Sequence, residues 1–70
     1  MTSRPIVKPE WRRKARDAFK RRFGPSDVPY IFEDLGQCRV RITDPESGAY
    51  VTLDFGGFHG AKIIEERGAQ

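Results

Sequence analysis

The 70-residue sequence holds a single cysteine, Cys38, and a single histidine, His59. One thiol cannot close an intramolecular disulfide, and small secreted domains without a large core usually depend on such bridges. A reducing, cytoplasmic setting is therefore expected. One thiolate and one imidazole also fall short of the four ligands of a closed structural zinc site, so no metal is expected, and nothing points to a cofactor. Long apolar runs are missing too. No stretch approaches the roughly 18 uninterrupted apolar residues of a membrane span, and residues 1–8 hold no apolar run of signal-peptide length. Membrane insertion and export are disfavoured. There is no internal repeat and no low-complexity tract.

Hydrophobic residues make up 37% of the chain and charged residues 33%, a balance that favours folding over disorder. A chain of this length buries only about 60% of its unfolded surface, which is enough for one core. A single domain over residues 9–70, preceded by a flexible arm at 1–8, is the expected organisation.

Charge is unevenly spread. Residues 1–23 carry nine basic side chains against Glu10 and Asp17, a net of +7, whereas the remainder carries four against eight, a net of −4. Most of the excess lies in the segment 9–23. There Trp11, Ala15, Phe19 and Phe23 recur at every fourth position with Ala18 beside them, the spacing of one helical stripe. Pro9 suits the first helical position, and Gly24-Pro25 forms a stop. The spacing predicts a helix over 9–23.

The rest reads as strand. Tyr30-Ile31-Phe32 begins a short β-prone run at about 30–33 that ends at Asp34 to Gly36. Cys38, Val40 and Ile42 alternate with Arg39, Arg41 and Thr43, and Val51, Leu53 and Phe55 repeat the pattern, which predicts strands at 38–43 and 49–55. Between them Asp44-Pro45-Glu46-Ser47-Gly48 is rich in turn formers. Both apolar sets must share a face, which a one-residue slip would break, and pairing Asp44 with Ala49 meets this by setting Ile42 opposite Val51, Val40 opposite Leu53 and Cys38 opposite Phe55. Arg41 then faces Thr52 and Arg39 faces Asp54 on the other side. Ile63 and Ile64 suggest a last strand at 61–66. The expected fold is α+β, with one N-terminal amphipathic helix packed on a small antiparallel sheet of three to four strands, its Trp11/Phe19/Phe23 stripe against the apolar face of the hairpin.

The strongest functional feature is the helix itself. Arg12, Arg13, Lys14, Arg16, Lys20, Arg21 and Arg22 cover most of its circumference outside the stripe. Such a cluster repels itself unless a polyanion takes up the charge, and arginines suit bidentate phosphate contacts. The plain alternative is a solvated helix face partly neutralised by the acidic half of the chain. On the sheet, Arg39, Arg41, Tyr50 and Thr52 mix cations with a ring, as single-strand binders do, although any solvent-facing antiparallel strand looks similar. Gly56-Gly57-Phe58-His59-Gly60 lacks P-loop spacing and reads as a hairpin connection. Cys38, Asp54 and His59 could be imagined as nucleophile, orienter and base, but Cys38 falls on the predicted core face, where a thiol is inert. No catalytic residues are expected, and the chain is read as no enzyme.

The favoured reading is a small nucleic-acid-binding accessory protein that makes phosphate contacts through its helix, with Arg39 and Arg41 as further candidates. The alternative is a protein-interaction module, an inhibitor or modulator of the kind mobile elements carry, that docks the same helix on an acidic surface of a larger partner. A membrane-surface helix ranks last because it would take the aromatic stripe away from the core. A homodimer is compatible with the sequence.

Overall fold

The computed structural model describes residues 7–57 and 60–68. Helix α1 spans Pro9–Phe23, and four strands follow: β1 (Ile31–Gly36), β2 (Arg39–Thr43), β3 (Tyr50–Asp54) and β4 (Lys62–Arg67). All neighbours are antiparallel and the sheet order is β1-β2-β3-β4. One helix on one sheet gives two layers and a flat molecule, 34 × 31 × 18 Å.

Helix α1 begins where proline needs no hydrogen-bond acceptor, with the Arg12 N–H donating to the Lys8 carbonyl at 2.9 Å. It ends at Gly24, whose φ of 85° lies in the left-handed region and whose N–H donates to the Lys20 carbonyl at 2.9 Å. Lys20, Arg21 and Arg22 occupy the last turn, where the helix dipole favours cations. The residue before Lys8, Val7, is buried, so the chain is anchored there, and the rest of the expected arm lies outside the described residues.

The central hairpin has the expected register. Ile42 pairs with Val51, Val40 with Leu53, Arg41 with Thr52 and Arg39 with Asp54, and the Asp44 N–H donates to the Ala49 carbonyl at 2.9 Å. Ala15 and Phe19 of α1 form the core with Ile42, Ala49, Val51 and Leu53. Tyr30, Phe32, Phe55 and Ile63 pack around them. The stripe is buried unequally. Phe19 is only 1% exposed and Trp11 is half-buried, stacked on Phe55 with ring centroids 4.8 Å apart, whereas Phe23 remains 37% exposed. The expectation of a largely buried stripe thus fails at Phe23, which is among the exposed large apolar side chains and meets Phe19 edge-on at the end of the helix.

The strand bounds differ most at the first turn. β1 runs on through Asp34 to Gly36 with its register shifted between Asp34 and Gly36, and the chain reverses at Gln37-Cys38, with φ of 54° and 62°. Both residues lie in the left-handed region that asparagine and glycine normally fill in two-residue hairpins. Cys38 is therefore turned out of the sheet and exposed, which corrects its expected place on the core face. Its carbonyl still accepts the Phe55 N–H at 2.7 Å. The other strands start or stop one residue from their expected limits, and β4 carries a bulge between its Leu53 and Thr52 partners.

The β2–β3 loop is organised by Asp44. Its carboxylate accepts the Glu46 N–H at 2.9 Å, and its carbonyl accepts the Gly48 N–H at 2.8 Å, with Gly48 at φ 83°. The Glu46 N–H holds the Asp44 carboxyl below the usual carboxylate range, the Ser26 and Ser47 side chains and the Ser47 N–H add to this, and burial opposes it.

Two outcomes follow from this packing. Phe19→Ala should lower unfolding stability by about 3–5 kcal/mol in urea titrations, a large part of what so small a domain has. An unchanged midpoint would mean that the ring is not core. Because the folded-state pKa of Asp44 is depressed, its stabilisation is present above the ordinary carboxylate value of about 3.9 and is lost as pH falls through the lower folded value. The stability gap between the parent and Asp44→Asn should therefore shrink on acidification, as read by thermal melts across that range.

Candidate functional site

The seven cations of α1 are all exposed, but they are not equivalent. Arg12 lies over the Phe32 ring, 5.0 Å from its centroid. Arg22 hydrogen-bonds and ion-pairs with Glu66 of β4, which raises the arginine pKa above its ordinary value. These two are committed to the fold. Arg13, Lys14, Arg16, Lys20 and Arg21 have no hydrogen-bond or ion-pair partner among the described residues. Asp17 lies one turn from both Arg13 and Arg21, yet no ion pair to either forms among those residues.

Helical geometry arranges these five around the solvent half of α1. Arg13 and Lys20 lie near the crest. Arg16, beside Arg12, borders a shallow cleft with Val28, Pro29, Tyr30 and Phe32 on the β1 side. Lys14 and Arg21 border an open cleft of about 430 Å³ on the β4 side, whose floor includes Ala18, Leu53 and Ile63. The helix packs over β2 and β3, so among the described residues this flank is left open. The cations thus wrap from one side of the helix over to the other.

The opposite face of the sheet has no helix. Ile31 and Glu33 of β1 pair with Thr43 and Arg41 of β2, so they share that face with Tyr50, Thr52 and Glu65. Arg41 is immobilised there. Its Nε donates to the Thr52 Oγ1 at 3.1 Å, its Nη2 to the Glu65 Oε1 at 2.8 Å, and its guanidinium lies over the Tyr50 ring at 4.7 Å. Thr52, which also donates to the Glu65 Oε1 at 3.4 Å, is left 3% exposed beneath them. Arg39 is exposed and aligned with Asp54, but no ion pair joins them. Asp54 Oδ1 instead accepts the Gly56 N–H at 2.8 Å.

The structure thus gathers Arg13, Lys14, Arg16, Lys20 and Arg21, with Asp17 among them, on one helix surface where they form no ion pair among the described residues, and it gives Arg12, Arg22 and Arg41 internal partners. Arg39 stands apart on the other face. The imagined grouping of Cys38, Asp54 and His59 has no geometry to report, since His59 lies outside the described residues. Among the described residues no group of histidine, cysteine and carboxylate side chains could hold a metal, and no helix is long and apolar enough to cross a membrane. The cleft against β4 was not foreseen, because only the final strand brings Ile63 and Ala61 beside the helix. No protein-family model, curated protein or solved structure matches the chain.

A double-mutant cycle on Arg41 and Glu65 should give a coupling of about 0.2–1 kcal/mol that fades with added salt, because the pair is partly exposed. Zero coupling at low salt would mean that Arg41 is not held by Glu65.

Proposed function

We propose that this protein binds nucleic acid through its phosphate backbone, with α1 as the contact surface and the sheet as its mount. The observation that carries the reading is the set of five exposed cations, Arg13, Lys14, Arg16, Lys20 and Arg21, whose side chains form no ion pair or hydrogen bond among the described residues. Several unneutralised charges on one rigid helix release counterions when a polyanion replaces the ion atmosphere. Three of the five are arginines, suited to bidentate phosphate contact. Arg12, Arg22 and Arg41 make smaller contributions on this reading, since each would have to leave a ring or a carboxylate. The chemistry is that of a binding module without catalysis, and the single exposed Cys38 suits a cytoplasmic setting. Burial of Phe19 and stacking of Trp11 on Phe55 use the aromatic stripe inside the domain, which counts against a membrane-surface helix.

The test is salt dependence. Affinity should fall linearly on a log–log scale, each phosphate contact contributing roughly 0.9 to the slope on duplex DNA or about 0.7 on a single strand. Arg13→Gln, Arg16→Gln and Lys20→Gln combined should reduce the slope by roughly 2.7 on a duplex or about 2.1 on a single strand, with thermal stability unchanged. An undiminished slope in that variant would refute α1 as the surface. Capture of a defined acidic protein that survives nuclease treatment, combined with weak nucleic-acid binding at physiological salt, would instead favour docking of the same helix on a protein.

A further inference from the structure

The cleft between α1 and β4 differs from the rest of the basic surface because cations there border an apolar floor. Lys14 and Arg21 form its rim, Ala18 and Ile63 its accessible floor above the buried Leu53, and Ala61 its mouth. Its volume of about 430 Å³ falls within the range of about 300–1,000 Å³ usual for small-ligand sites. Small side chains keep it open: Ala18 faces it from the helix, and Gly60 and Ala61 lead into β4. Among the described residues Asp17 is the one carboxylate on its border, and Arg22 also borders it while paired with Glu66.

An occupant must therefore be anionic at the rim and flat or apolar at the floor. An acidic peptide added to the β4 edge would meet that charge requirement but not the backbone one. The bulge in β4 interrupts the ladder such a strand would need. A nucleotide needs no ladder. Its base is a flat, largely apolar ring with a polar edge, its phosphates are the rim's counter-charge, and the cations continue over the helix crest along the path a connected backbone would take.

We propose that this cleft receives one unpaired base of a single-stranded nucleic acid, the base against Ala18 and Ile63 and the flanking phosphates on Lys14 and Arg21. This rests on the phosphate-binding reading of α1 and adds a preference, since a base paired and stacked in a duplex is not available to the cleft.

The experiment measures anisotropy of labelled short oligothymidine, an abasic oligomer of the same length and a duplex of that length, using the full chain and two groove-filling variants, Ala18→Leu and Ala61→Leu. Ala61 is exposed, so its variant keeps the test valid if Ala18→Leu disturbs packing. Oligothymidine should bind about tenfold more tightly than the abasic oligomer, each leucine should remove most of that advantage, and duplex affinity should not change. Equal binding of the abasic oligomer, or leucine variants that keep the preference, would overturn the cleft assignment while duplex binding by α1 stands. Failure of all three probes to bind at low salt would overturn both readings together. Displacement of oligothymidine by a polyglutamate peptide whose own binding alone is lost in Ala61→Leu would overturn the nucleotide as occupant.

Discussion

The arrangement depends on one contact, the insertion of Phe19 between the helix and the middle of the sheet. Ala15, one turn earlier, is fully buried and has almost no side chain, so the helix backbone can come close to β2 and β3. The Phe19 ring fills the space beyond, against Tyr30 at 5.0 Å and Phe23 at 5.2 Å. Fully buried strand side chains come from the two central strands, Val40 and Ile42 on one and Val51 and Leu53 on the other. The helix must therefore lie over the sheet's centre. Its outward half is left to charge, and its flank toward β4 is left without a neighbour to fill it.

A sheet with a helix on one side has a second face to manage, and this chain does so with side chains alone. Arg41 spans from Tyr50 to Glu65 and covers Thr52, so its aliphatic stem and flat head act as a partial layer of their own. A cation used in this way is a structural part, and the same holds for Arg12 on Phe32 and for Arg22 against Glu66. Counting basic residues in a sequence overstates how many remain for a partner. Which ones remain depends on strands far away along the chain.

Elements with a strong period were legible from sequence: the helix between Pro9 and Gly24, the hairpin pattern, and a register fixed by the need to place Val40, Ile42, Val51 and Leu53 on one face. The first turn was not, because Gln37 and Cys38 take left-handed backbone without the glycine or asparagine that usually marks it. That turn is why Cys38 continues the alternation in sequence yet leaves the sheet in space. Phe23 fits the helical stripe as well as Phe19 does, but at the last helical position it meets the Phe19 ring edge-on and stays 37% exposed. As for the candidate surface, its cations were legible as a set. The division into free and committed members was not, because Phe32, Glu65 and Glu66 meet them only through tertiary packing.

The two layers also differ in sign. Helix α1 carries a net of +5, seven cations against Glu10 and Asp17, and the four strands together carry −1, four cations against five carboxylates. The helix lies against one face of the sheet, so this flat molecule carries its excess positive charge on the helical face. In a non-uniform field such a disc feels a torque as well as a force, and it turns its helix toward negative potential before any side chain makes contact. Over about one Debye length, roughly 8–10 Å at physiological salt, approach becomes an oriented landing with the helical face leading.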